Sequence, residues 1–156
     1  MTRFKVATFN ANSIRVRLPQ ILTWMEREEP DAVCIQETKC QDGDFPKDAI
    51  EEAGHKVAFA GQKSYAGVAT ISPHGFDDVR AGFDDGSDRA RLLHTEIQGI
   101  SVVNSYVPQG RSADSEHFQY KLAWFERILA WFGTHFSPED PVIWLGDLNV
   151  APEDID

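Results

Sequence analysis

The sequence predicts a layered α/β protein built on a mixed sheet. Short apolar or alternating runs of strand length recur along the chain, and stretches with apolar residues at helical spacing lie between them. No linker, internal repeat or low-complexity tract interrupts the 156 residues, which is the size of one ordinary domain.

Residues 4–9 alternate as a strand. A helix then runs to Glu29, with Leu18, Ile21, Leu22 and Met25 on one face and Pro19 near its first turn. Pro30 ends it, and Ala32–Gln36 is the second strand. In "FPKDAIEEAG", Pro46 opens a short helix and Gly54 stops it. Residues 57–60 and 67–71 are strands around the loop "GQKSYAG", and "GFDDGSDRA" is an acidic turn segment. Residues 91–97 and 100–106 form a hairpin across Gln98-Gly99. The clearest helix is "SEHFQYKLAWFERILAWFGTHF". Its residues Phe118, Leu122, Phe125, Leu129, Phe132 and Phe136 form one stripe, expected to pack on a sheet. A turn over 137–141 leads into the strand "VIWLG".

The 42% hydrophobic content and four Trp mark a globular chain. No apolar run approaches the roughly 20 residues of a membrane helix, and the first ten residues lack an apolar signal core. A cytoplasmic location with no membrane partner is the expectation. Two cysteines make no disulfide framework, which suits a reducing compartment. Cys34 reads as a small core residue and Cys40 as a loop thiol, neither at zinc spacing. The five histidines, at 55, 74, 94, 117 and 135, read as structural. The net charge of −10 argues against a polyanionic partner, unless a metal or a local basic cluster does the work.

Three strands end alike. "KVATFNAN" closes on Asn10 and Asn12, "AVCIQETK" on Glu37 and Lys39, and "VIWLGDLN" on Asp147 and Asn149. Residues two apart in a strand share a face, so neighbouring strands running the same way would bring these six side chains to one rim. A single polar strand end does no more than meet solvent, and "GDLN" alone is compatible with a turn. Three ends at the same spacing point to a site. Two carboxylates, three amides and an amine suit a hard cation such as Mg²⁺ on a phosphate ester, because Mg²⁺ takes one or two carboxylates and fills its shell with water and substrate oxygens. A second carboxylate can orient or deprotonate the attacking water.

The segments "TFNANSIRVR", "PDAVCIQETK", "GQKSYAGVAT", "RARLLHTEI", "NSYVPQG" and "GDLNVAP" together resemble the exonuclease III family of abasic-site endonucleases, within the endonuclease/exonuclease/phosphatase superfamily. The resemblance implies half of a four-layer α/β sandwich, DNase I-like, with a Mg²⁺ site (Mn²⁺ as a possible substitute) acting on double-stranded DNA at abasic sites and 3′ ends. It implies Glu37 as the main metal ligand, with Asn10 on the metal or phosphate side. It implies Asp147 as the residue activating water, Asn149 beside it on the phosphate, and Tyr106 as a phenol bonded to the scissile phosphate. Asn12 stands where some relatives place Asp, which puts a second metal position there in doubt. Gln109 would approach the DNA backbone, and Tyr65 is a candidate wedge at a DNA step. Arg15, Arg17, Lys39, Lys63, Arg89, Arg91 and Arg111 fall in or beside the rim loops and answer the charge objection, with Lys39, Arg91 and Arg111 expected on phosphates.

The family pattern continues into a second half carrying a Ser-Asp-His signature and, by expectation, the other sheet. This chain ends before that segment, so residues 1–156 read as the amino-terminal part of one such domain, with the carboxy-terminal half as its missing partner. Two other readings remain beside a DNA repair nuclease. One is a phosphodiesterase of the same superfamily acting on a non-DNA ester, and the other is a catalytically silent metal- or DNA-binding fragment.

Overall fold

The computed structural model describes residues 3–151 and 153. Its first unit is β1 (Val6–Asn10), α1 (Ile14–Glu28) and β2 (Ala32–Gln36). A single 3-10 turn (Asp42–Asp44) and the short α2 (Lys47–Glu52) lead into β3 (Lys56–Gln62) and β4 (Tyr65–Ser72). Then come β5 (Asp78–Ala81), β6 (Leu92–Ile97), β7 (Ile100–Tyr106), α3 (Glu116–His135) and β8 (Val142–Asp147).

The strands form two four-stranded mixed sheets, in the orders β1-β2-β4-β3 and β5-β6-β7-β8. β1 pairs parallel with β2, and β8 parallel with β7, while the other pairs are antiparallel. Alternation along each strand sends one set of side chains between the sheets and the other set outward. Between the sheets, Ala32 and Cys34 meet Ile97 and Val102, and Val68 meets Leu93 and Tyr106. Outside the first sheet, Ile14, Leu18, Ile21 and Met25 of α1 cover Val33, Ile35, Ala69 and Ile71. Outside the second, Trp124, Ile128 and Trp131 of α3 cover Leu92, Val103 and Val107. All four layers of an α/β/β/α sandwich are therefore in this chain.

That arrangement corrects the expectation that the second sheet lies in another half. Both sheets are here, with edge strands β1 and β3 in the first and β5 and β8 in the second, and β1 and β8 lie on the same side of the sandwich. The packing face of α3 matches the expected stripe in part, since Phe125, Phe132 and Phe136 pack against the cluster. Leu122 and Leu129 are 44% and 74% exposed, and the buried positions are Trp124, Ile128 and Trp131, one residue or so around the helix. Ser115 caps α3 by accepting from the Phe118 N–H at 3.2 Å. Cys40 lies in a loop, as expected, but is buried at 3% exposure within the α1 cluster. β5 has no counterpart among the expected strands, since "DVRA" is short and polar and belongs to an edge. The loop in "GQKSYAG" shrinks to Lys63 and Ser64, with β3 and β4 extending almost to the turn. Among the described residues, no helix is long and apolar enough to cross a membrane.

Candidate active site

The site forms where β1, β2, β7 and β8 end. Val6, Thr8 and Asn10 of β1 lie beside Ala32, Cys34 and Gln36 of β2 in register, so Asn10 points between the sheets as Gln36 does. Gln36 is 1% exposed and donates to Asn104 Oδ1 of β7 at 2.7 Å, while Asn104 Nδ2 donates to the carbonyls of Ile35 and Ala69 at 3.2 and 2.9 Å. These buried amides satisfy one another and fix the two sheets in register just beneath the rim.

Directly after Gln36 the backbone turns left-handed. Glu37 has φ 52° and Lys39 φ 53°, a conformation unusual for residues with a Cβ. The corner is held by Thr38 N donating to Gly67 O at 3.2 Å and Lys39 N to Ala66 O at 3.0 Å. Gly67 is needed for this approach, because a Cβ there would lie 1.9 Å from Thr38 Oγ1. The opposite wall has a matching constraint. A Cβ on Gly146 would meet Ser105 O at 2.0 Å, so glycine lets β8 close on β7 and present Asp147 to the rim.

Asn10 joins the two carboxylates. Its Nδ2 donates to Glu37 Oε1 at 3.0 Å and to Asp147 Oδ2 at 2.8 Å, while its Oδ1 accepts from the Asn12 N–H at 3.0 Å. Tyr106 O–H donates to the same Glu37 oxygen at 3.0 Å. Lys39 Nζ lies 3.0 Å from Glu37 Oε2 and also donates to Asn12 Oδ1. Asn149 N donates to Asp147 Oδ1 at 3.0 Å, and Asn149 Nδ2 to Val107 O at 2.7 Å. Five of the six rim residues read from the strand ends, together with Tyr106, thus share one hydrogen-bonded network, and Asn149 joins it through Asp147.

Asn10 turns its amide nitrogen toward both carboxylates and braces them in this arrangement. Lys39 is engaged on Glu37 and Asn12. Arg91 lies beneath Tyr106, with its guanidinium 4.9 Å from the ring centroid and Nη1 donating to Tyr106 O at 3.2 Å. Gln109 and Arg111 line a cleft of about 310 Å³ with Lys121 and Asn149, which places them next to the site. Tyr65 stands outside the network, 71% exposed at the start of β4. Asn104 and Gln36 were missed by sequence reasoning, although a polar residue in an otherwise apolar strand was a usable signal.

Burial pushes the Glu37 carboxyl upward, but hydrogen bonds from Asn10, Lys39 and Tyr106 and the Lys39 charge outweigh it. Its pKa falls below the ordinary value and it stays ionised. Burial, with the Glu37 carboxylate accepting its hydrogen bond, pushes the Tyr106 phenol up to about 12, so Tyr106 is a neutral donor. Among the described residues no group of three or more His, Cys, Asp or Glu gathers at one point. Two carboxylates fit Mg²⁺, which needs few protein ligands and fills its shell with water and substrate oxygens.

The profile of the endonuclease/exonuclease/phosphatase family matches residues 7–156. The chain belongs to that family. Among family relatives, it is 31% identical to exodeoxyribonuclease III of Haemophilus influenzae, over 97% of this chain and 60% of that protein. It is also 31% identical to an exodeoxyribonuclease of Bacillus subtilis, over 97% and 61%. An AP endonuclease structure from Archaeoglobus fulgidus superposes with a TM-score of 0.94 at 42% identity, over 99% of this chain and 60% of that one. A Neisseria 3′ phosphatase, solved with a product DNA hairpin, superposes with a TM-score of 0.92 at 33% identity, over 99% and 61%. The fold of this family member is therefore the DNase I-like sandwich. The chain spans about 60% of the length of the relatives it matches.

Proposed function

We propose that this chain carries the phosphate-cutting centre of a Mg²⁺-dependent DNA repair nuclease that cuts 5′ to abasic sites and removes nucleotides from 3′ ends of duplex DNA. The observation that carries the reading is the double hydrogen bond of Asn10, which holds Glu37 and Asp147 at one rim from two different sheets. Glu37, ionised and with Oε2 on the Lys39 side, is the carboxylate that would hold Mg²⁺. When bound, Mg²⁺ (or Mn²⁺) supplies charge neutralisation at a phosphoryl oxygen. Asp147, with both oxygens oriented by hydrogen bonds, positions the attacking water and takes its proton. Tyr106, kept neutral, gives its one O–H proton to Glu37 in this arrangement and would turn it to a phosphate oxygen, and its ring is steadied by Arg91. Gln109, Arg111 and Lys121 border the rim where a DNA backbone would run, and local contacts of this kind bind despite an acidic chain.

We further propose that turnover needs chain of the kind that makes up the remaining length of the relatives, pairing at β1 and β8. Turnover is expected of the completed protein, meaning the chain together with that complement. Incision of an abasic duplex with Mg²⁺, with product ends resolved on a sequencing gel, tests the proposal. A 5′ nick at the abasic site, absent with EDTA, is expected, and no incision by the completed protein would reject it. The likeness to the Neisseria enzyme favours one second reading, removal of 3′ phosphates, and a 3′-phosphorylated duplex in the same assay separates the two.

A further inference from the structure

The two oxygens of Glu37 have unlike surroundings. Oε1 accepts from Asn10 and Tyr106, both neutral donors fixed in the sandwich. Oε2 faces the Lys39 ammonium at 3.0 Å, and the Glu37 side chain is only 14% exposed, so this pair is partly shielded from solvent. The left-handed backbone at both Glu37 and Lys39 throws the two side chains to the same side of the corner. The second anchor of the ammonium is Asn12 Oδ1, a neutral amide that cannot compete with a carboxylate for its charge. Asn12 is itself left-handed, at φ 45°, and its N–H is tied to Asn10, so its amide is held beside the ammonium.

From this geometry we infer that Lys39 is a built-in counter-cation of Glu37 that a divalent ion must displace, and that the neutral side chain of Asn12 keeps it there. The inference rests on reading Glu37 as the metal's carboxylate. A metal approaching Oε2 meets a positive charge already in place, and Lys39 must swing out before ligation. Its side chain is 35% exposed, which gives it a path to solvent. A carboxylate at position 12 would draw the ammonium off Glu37 and lower this barrier to binding. The device holds the rim in shape without metal, at the cost of weaker metal affinity.

The test is Mn²⁺ binding, followed by EPR of the free ion, in the completed protein and its variants, with circular dichroism checking the fold. Lys39→Met should tighten Mn²⁺ binding about two- to fivefold, the size of one partly exposed ion pair. Asn12→Asp should also tighten it, and by more when Lys39 is present than in the Lys39→Met background, because only then is there an ammonium to draw away. An equal gain in both backgrounds would mean that the introduced carboxylate acts simply as added charge, and would overturn the inference. So would a Lys39→Met variant that is folded and binds no tighter. Glu37→Gln separates the two levels. If it abolishes Mn²⁺ binding while Lys39→Met changes nothing, Glu37 remains the ligand and the displacement idea falls. If Glu37→Gln leaves binding intact, both fall.

Discussion

Asn10 Nδ2 and Asp147 Oδ2 lie 2.8 Å apart, a hydrogen bond between the edge strands of two different sheets. The same nitrogen reaches Glu37 at 3.0 Å, so one amide sets the spacing of both carboxylates. Replacing Asn10 with Ala should leave the sandwich folded, because the sheets are also joined by Gln36 and Asn104, yet let the carboxylates drift. Loss of such a bracing group typically costs about 10–100-fold in metal affinity or activity. Single-turnover incision by Asn10→Ala in the completed protein measures this, and a rate within about twofold of wild type would remove Asn10 from the site.

Asp147→Asn should retain abasic-duplex binding and lose chemistry. Removal of a general base costs about 10²–10⁴-fold in rate. Binding by fluorescence anisotropy and the single-turnover rate are measured on the same variant. Unaltered chemistry would reduce Asp147 to a residue of the Gly146 turn.

His94 gives the fold a pH dependence. It is 7% exposed on the outer face of β6, between the rings of Trp131 and Phe136 at 6.1 and 5.6 Å, with Ser101 Oγ 3.1 Å from Nε2. Burial lowers its pKa below 6.5. Asp78 opposes that shift, and Arg80 and His135 add to it. Above pH 6.5 the imidazole is neutral in folded and unfolded chains alike. As pH falls from 6.5 through the lower folded value, the unfolded chain takes up the proton first and stability is lost. The Tm should therefore drop as the pH falls below 6.5 through the lower folded value of His94. His94→Gln should flatten that part of the curve, and an unchanged slope would show that another group is responsible.

The open edges of β1 and β8 carry a consequence for association. Phe9 and Trp144, 46% and 39% exposed, flank them, and edge strands present unpaired N–H and C=O groups to any passing strand. The chain by itself should self-associate, and a separate polypeptide matching the further length of the relatives should suppress this. Sedimentation velocity checks it. A monodisperse monomer with a reversible melting transition would show that the edges are protected without a complement.

What the sequence revealed of this molecule follows from what its patterns encode. Strand-end pairs such as Asn10/Asn12 and Glu37/Lys39 were legible because a two-residue period fixes which side chains share a face. The same period is silent on which strands share a sheet, so the presence of both sheets in this chain was not read. On α3, Phe118–Leu122–Phe125–Leu129 and Trp124–Ile128–Trp131 run as neighbouring apolar stripes of one period. Hydrophobicity does not choose between them, whereas packing against Leu92 and Val103 does. Arg127 adds a constraint no pattern announces, stacking 4.1 Å over Phe83 and binding Asp85 and Asp88. Lys39 and Arg91 were legible as rim cations but not as partners of Glu37 and Tyr106. Those pairings arise from left-handed corners and cross-sheet contacts that only the fold creates.

The proposed function makes Glu37 the carboxylate on which metal-dependent cleavage turns. It is tested most directly by Glu37→Gln in the completed protein, with single-turnover incision of an abasic duplex followed across a Mg²⁺ titration. The amide is nearly isosteric and keeps an acceptor for Asn10 and Tyr106, so the fold should survive while the charge is gone. The predicted result is a folded protein that binds the duplex and does not cleave it at limiting Mg²⁺. Cleavage within a few-fold of wild type at that concentration would contradict it.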